Sequence, residues 1–322
     1  MFRHRLFLIV NPISGTCSKK GVVEKIETRF RRHGIEIDTA LTTGCGDATR
    51  LAREAVEKGY RAVLACGGDG TVNETARAMC GTDIPLGIIP AGSGNGLARH
   101  LGIPIDILTS VDVISREHVT PCDYATANGR PFFCTFGWGF DAAVSDRFAR
   151  AGKRGLITYL NSAIEEYKDY QGEEYSINVD GVAHTRKAFL VACCNASQYG
   201  NNAFIAPQAS IKDGLLDVII IKDADHLRTL LVGIDMLTGM IPHNSQIEKL
   251  RGRHIVITRN SNGPAHLDGE PIEMGTVADI KCIHGALKIF TPQKKMRFMP
   301  FVTPMIYTFR DWHFALRNLV SG

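Results

Sequence analysis

Residues 62–74 read AVLACGGDGTVNE, and the reading of this stretch decides the fold. Ala62–Cys66 is a continuous apolar run of strand length, which suits a strand buried on both faces of a parallel sheet. Gly67-Gly68-Asp69-Gly70-Thr71 follows without a break, and Val72–Met79 then takes up helical periodicity. Glycines between a strand and a helix let backbone N–H groups approach an anion, and the helix N-terminus adds the positive end of its dipole. An aspartate beside phosphates makes sense when a cation such as Mg2+ stands between them. The plainer alternative is a tight turn in which Asp69 caps the helix. Two glycines, an acid, a glycine and a hydroxyl in one register favour the nucleotide reading.

The same alternation runs outward from this loop. Leu6–Val10 is a buried strand closed by Asn11-Pro12, and Val22, Val23, Ile26 and Phe30 recur at helical spacing up to His33-Gly34. Ile35–Leu41 is a second strand, and Asp47 opens a helix with Leu51, Ala52, Ala55 and Val56 on one face, ended by Gly59. Leu86–Ile89 is a fourth strand, with helices expected over Asn95–Leu101 and Ile107–Arg116. This pattern predicts an open α/β sheet with helices on both faces and right-handed connections. Successive strand ends of a parallel sheet share one edge. Two further loops therefore join the first there: Pro90-Ala91-Gly92-Ser93-Gly94-Asn95-Gly96, and Asn11-Pro12-Ile13-Ser14-Gly15 with Lys19 and Lys20 beyond it. Neither glycine loop matches GxGxxG, since Asn73 and Leu97 stand at the third glycine, and no GxxxxGK[ST] occurs.

Past Pro121-Cys122-Asp123 the character changes to strands: Pro131–Phe136, Tyr175–Val179, Ala188–Cys194, Leu216–Ile221, His254–Thr258, Ala278–Cys282 and Ala286–Phe290. Helices are expected at 155–169 and 225–240. Such a run predicts an antiparallel, sandwich-like β-rich domain over 123–295. In the tail, Met305, Phe309, Trp312, Leu316 and Leu319 form one apolar helical stripe, flanked by Arg310 and Arg317. That stripe reads first as a helix docked on a domain and second as a membrane-surface helix.

The 322 residues suit two domains, and 44% hydrophobic with 22% charged residues is an ordinary globular balance. A net charge of +4 is too small to argue for nucleic acid. Nine scattered cysteines without a CxxC pair argue for a reducing compartment and against a zinc site. The opening apolar run is too short for a signal peptide, and Leu230–Ile241 is interrupted by Asp235 and closed by Pro242. The expectation is a cytoplasmic protein that visits a membrane surface if its substrate is a lipid. Arg147, Arg150, Lys153 and Arg154, with the Lys294-Lys295 pair, are candidates for that contact.

NPxSG after the first strand, GGDGTVNE after the third and GSGNxLA after the fourth resemble the diacylglycerol kinase catalytic-domain family, which includes bacterial lipid kinases, sphingosine kinase and ceramide kinase. The resemblance covers nearly the whole chain. Phe136-Gly137-Trp138-Gly139-Phe140-Asp141 is similar to the family's start of the second domain. Ser210 to Asp217 is similar to its SxxDGxLD loop, and Asp268-Gly269-Glu270 to its DGE motif. It implies an α/β nucleotide domain at 1–122, to which the chain returns at 296–322, and a β-rich lipid and metal domain, with ATP between the two.

By motif the resemblance places nucleotide contacts on Asn11, Pro12, Ser14, Gly15, Thr42, Gly67, Gly68, Asp69, Gly70, Thr71, Asn73, Glu74 and Ser93. It places Mg2+ on the carbonyls of Ser210 and Leu215 and the carboxylate of Asp213. Catalysis falls to Glu270, matching the family's base, and to Asp69 in the Mg2+–phosphate network. A base is needed because a lipid alcohol is a poor nucleophile until its proton is accepted. Gly96 stands where bacterial diacylglycerol kinases usually carry an acid, which is more like sphingosine kinase. The implied activity is ATP-dependent phosphorylation of a lipid hydroxyl, diacylglycerol first and a sphingosine-type lipid second. The alternatives are an NAD kinase-like enzyme and an inactive nucleotide-binding regulatory protein; a homodimer stays open.

Overall fold

The computed structural model describes residues 4–13, 21–150, 170–223, 226–294 and 296–320. The chain divides into two compact units, Met1–Cys122 with Gly285–Arg297 and Asp311–Gly322, and Asp123–His284 with Phe298–Arg310. The return to the first unit thus begins before the expected residue 296. Gly81 donates its N–H to the Ala286 carbonyl, and Ile289 pairs in parallel with Leu86. Phe298–Arg310 belongs to the second unit, where Phe298 packs on Phe204 and the Phe301 N–H bonds the Thr238 carbonyl.

The first unit runs β1 (Leu6–Val10), α1 (Val22–Arg32), β2 (Ile37–Leu41), α2 (Asp47–Glu57), β3 (Ala62–Gly67), α3 (Asp69–Met79), β4 (Leu86–Pro90), α4 (Gly96–Leu101) and α5 (Ile107–Ser115). Its strands lie in the order β2-β1-β3-β4, all parallel. Alternate residues of one face, Leu6, Leu8, Val10, Leu64 and Cys66, pack with Ile26 and Phe30 of α1 and Val111 and Ile114 of α5. Each such buried side chain contributes about 1.5–3 kcal/mol. Helices α2 and α3 pack against the strands as well. Because β1 lies between β2 and β3, the winding reverses at the β1/β3 boundary, where open α/β sheets form a crevice at the carboxyl ends of their strands. Helix α3 starts at Asp69, earlier than the expected Val72, so Asp69, Gly70 and Thr71 form its first turn.

In the second unit β5 (Val119–Ala127) leads to β6 (Arg130–Phe132), β7 (Thr135–Gly139), α6 (Phe140–Arg150), β8 (Glu173–Val179), β9 (Val182–Cys194) and β10 (Leu216–Lys222). Then come α7 (His226–Thr238), β11 (Ile247–Gly252), β12 (His254–Arg259), β13 (Gly263–Leu267), β14 (Glu270–Met274), β15 (Val277–Phe290) and α8 (Val302–Val320), the last two of which end in residues of the first unit. Pairing is antiparallel in the order β14-β13-β7-β9-β8-β12-β15, with β10 between β9 and β11. Strand alternation sends Cys193 into a core with Phe136, Trp138 and Tyr175, and Cys194 into a second one with Phe189, Ile219 and Val232.

Three expectations change here. The strand expected over Pro131–Phe136 is broken into β6 and β7, because the N–H groups of Phe133, Cys134 and Thr135 all turn to the Asp268 carboxylate. The two strands expected over 278–282 and 286–290 are one, β15, passing Gly285 at φ 62°. The tail does form a helix, but its stripe faces outward: Met305, Phe309 and Trp312 are 55%, 61% and 63% exposed. The helix expected at 155–169, with Lys153, Arg154 and Lys295 and the side chains of Leu316, Arg317 and Leu319, lies outside the described residues.

Candidate active site

The loops after β1, β3 and β4 meet at the β1/β3 reversal. The Asn11 amide donates to the Thr71 hydroxyl at 3.1 Å, and its own N–H bonds the Cys66 carbonyl at 3.0 Å. Gly68 and Gly92 lie so close that a Cβ on Gly92 would stand 2.5 Å from the Gly68 Cα, and one on Gly67 would strike Thr71. Only glycine permits that approach. Asp69 closes the pair of loops: its carboxylate accepts the N–H groups of Asn95 at 2.8 Å and Gly96 at 2.7 Å. Burial pushes this carboxyl up, while those two N–H groups and the Arg99 charge pull it down. Asp69 therefore caps α4, the helix of the neighbouring loop. Both its oxygens accept backbone N–H groups.

The glycine loop after β4 is tied from within and from behind. The Asn95 side chain, at φ 52°, accepts the Gly92 N–H and donates to the Gly92 carbonyl. Buried Arg99 donates to the Gly94 carbonyl at 2.8 Å and to Asp311 at 2.7 Å. Ser93 and Gly70 stay exposed, as does Pro12. Thr42 is buried and its N–H bonds the Val10 carbonyl. Glu74, expected at the nucleotide, accepts the N–H groups of Gly46 at 3.0 Å and Ala48 at 3.1 Å at the start of α2. Asn73 is buried, and among the described residues its side-chain nitrogen has no hydrogen-bond partner. A buried amide donor and a glycine cradle suit the oxygen-rich phosphates of a nucleotide. Ser14 and Gly15 lie outside the described residues.

In the second unit Asp268 and Gly269, at φ 53° and 82°, make a two-residue turn between β13 and β14. Both residues at positive φ is the turn whose twist matches a hairpin, and Asp-Gly is its preferred pair. The Asp268 carboxylate anchors it through Phe133, Cys134 and Thr135 N–H groups at 2.7–2.9 Å. Burial lifts this carboxyl to about 6, against the pull of those donors. His266 holds the other side. It bonds Asp141 at 3.0 Å and accepts the Gly269 N–H on Nδ1 at 3.3 Å, while the Tyr199 hydroxyl donates to the same Asp141 oxygen at 2.7 Å. With Nδ1 an acceptor, the imidazole proton sits on Nε2 and is donated to Asp141. Glu270, the first residue of β14, is thereby delivered from a turn fixed on both sides.

Of the expected Mg2+ holders, the Asp213 carboxylate is already engaged. Asp213 is paired with the Arg251 guanidinium at 2.5 Å and accepts the Leu215 N–H. The Ser210 hydroxyl accepts the Lys212 N–H at 3.4 Å. Arg251, which also pairs with buried Asp217 at 2.7 Å, supplies the positive charge at this place. Among the described residues no three His, Cys, Asp or Glu side chains converge as a metal site. The loop itself is fixed by buried Asp123, which accepts the Gly214 N–H at 2.7 Å and bonds His284. Asp123, Asp141, His266 and Tyr199 received no role from sequence: Asp141 closes the Phe136–Asp141 segment and His266 stands just before Asp268-Gly269-Glu270, but nothing local shows that their side chains meet.

Comparison with known proteins gives two family matches. Residues 5–127 match the diacylglycerol kinase catalytic domain, and residues 135–291 match the YegS C-terminal NAD kinase β-sandwich-like domain. The diacylglycerol kinase of Bacillus subtilis (strain 168) is 29% identical over 271 residues, covering 83% of this chain and 89% of its own. A protein of Chromohalobacter salexigens named a YegS-like lipid kinase is 30% identical over 270 residues, 80% of this chain and 85% of its own. A crystal structure assigned as a diacylglycerol kinase from Bacillus anthracis str. Sterne superposes with a TM-score of 0.76 at 26% identity, covering 91% and 97% of the two chains.

Proposed function

This chain belongs to the lipid-kinase family that joins a diacylglycerol kinase catalytic domain to a YegS-type second domain, and from that membership we propose that it phosphorylates diacylglycerol with ATP. ATP supplies the γ-phosphoryl group and leaves as ADP, and magnesium arrives with the nucleotide. Gly67, Gly68, Thr71, Asn73 and the Gly92–Gly94 segment hold the phosphates through N–H groups and side-chain donors. Asp69 keeps the two glycine loops at the spacing this requires. Glu270 accepts the proton of the acceptor hydroxyl as its oxygen bonds to phosphorus. The observation that supports the reading most is the pair of glycine loops closed on each other by Asp69 at the strand-order reversal.

A sphingosine-type acceptor is the second reading, favoured by Gly96, which stands where bacterial diacylglycerol kinases usually carry an acid. One incubation with ATP and a panel of diacylglycerol, sphingosine, ceramide and undecaprenol, read by mass spectrometry, separates the two. A phosphate on diacylglycerol supports the first reading. A phosphate only on the amino alcohol replaces it with the second, and no phosphorylated lipid at all ends both.

A further inference from the structure

Helix α8 is apolar on both sides. Tyr307 and Thr303 turn inward, with Tyr307 packed on Phe204. The outward side carries Met305 and Phe309, and Phe301 just before the helix is exposed too. A helix of a water-soluble surface shows polar residues outward, so this one expects apolar cover. The patch extends onto α7, whose end meets the start of α8 through the Phe301 N–H to Thr238 carbonyl bond, and where Ile234 and Leu237 are exposed. Between Phe290 and Asp311 the chain carries Lys294, Lys295, Arg297 and Arg310, and no acid.

We infer that this two-helix face is the surface by which the protein seats itself on an anionic phospholipid bilayer. The inference rests on the lipid-kinase reading. A lipid acceptor resides in a bilayer, and no described helix is long and apolar enough to cross one, so the acceptor must be met at the surface. Apolar side chains enter the headgroup boundary while the basic residues meet lipid phosphates. A second copy of the chain is a poorer occupant, because it would bring like charges of the two fringes together.

The test uses the full chain with sedimenting vesicles of phosphatidylcholine alone, or with about a third phosphatidylglycerol. The wild type is expected to sediment with the anionic vesicles and to be released by salt. F301S/M305S/F309S is expected to lose about tenfold in partitioning, yet to phosphorylate a dispersed short-chain diacylglycerol as before. Should the triple variant lose its thermal transition, R297E/R310E reads the same contact through its charge. Unchanged sedimentation of the folded variants overturns the inference. A change from dimer to monomer by light scattering without loss of vesicle binding also overturns it, and makes the face an interface between copies. Vesicle binding by a wild type that phosphorylates no lipid would sink the kinase reading and leave this surface standing.

Discussion

Replacing Asp268 tests whether the turn that presents Glu270 is held as described. In D268A three N–H groups, those of buried Phe133, Cys134 and Thr135, lose a charged acceptor. A hydrogen bond to a charged group contributes about 1.5–3 kcal/mol, and part of the loss is recovered by water, so about 3–5 kcal/mol of stability should disappear. D268N keeps one oxygen for Cys134 and Thr135, which share Oδ1, and tolerates the positive φ; it should lose about 1–2 kcal/mol. The assay is urea denaturation beside kcat, and kcat should fall in the same order because Glu270 is two residues away. Acidity gives an independent check. The carboxyl titrates near 6 folded against an ordinary 3.8, so folding takes up a proton between these values. Its contribution is complete below the lower value and is lost as pH rises through about 6, with a ceiling of about 3 kcal/mol. D268N should lack that slope. Equal stability of the alanine and asparagine variants would refute the anchoring, whereas a wild-type slope of opposite sign would mean that the three donors outweigh burial.

Two further perturbations address the chemistry and the cradle. Glu270→Gln keeps the shape of β14 and removes the proton acceptor, so kcat should fall by about two to four orders of magnitude with ATP binding retained; near-normal turnover rejects Glu270 as the base. Gly92→Ala places a methyl 2.5 Å from the Gly68 Cα and must part the two loops. It should raise the KM for ATP about tenfold or more while costing about 1–3 kcal/mol of stability, and an unaltered KM would mean that the contact plays no part in holding nucleotide.

The first unit was readable because its strands are buried, parallel and sequential: once Leu6–Val10, Ala62–Cys66 and Leu86–Ile89 are strands, their following loops must share an edge. What those loops do to each other was not readable. The side chain of Asp69 looks like the cap of the helix it begins, yet it caps α4, whose first residue lies 27 positions on. Glu74 likewise caps α2, since packed helices can exchange caps that no local window contains. The Asp268-Gly269 dipeptide carried a hairpin signal, but Gly263–Leu267 and the Pro271 that follows do not read as strands. In the tail the period was legible and the direction was not, because α8 offers apolar side chains to both sides.

The acids of the family motifs divide by what already holds them. Asp69 spends its oxygens on Asn95 and Gly96, Asp268 on Phe133, Cys134 and Thr135, and Asp213 on Arg251 and Leu215. Each fixes a loop through backbone N–H groups, a use of charge that is strong only where water is excluded. Such acids are poor proton acceptors for a substrate, because taking a proton would release the loop they hold. Glu270 follows the turn that Asp268 and His266 fix. On the proposed assignment of Glu270 as the base, replacing the positioning acids should damage folding and catalysis together, whereas replacing Glu270 should act chiefly on catalysis.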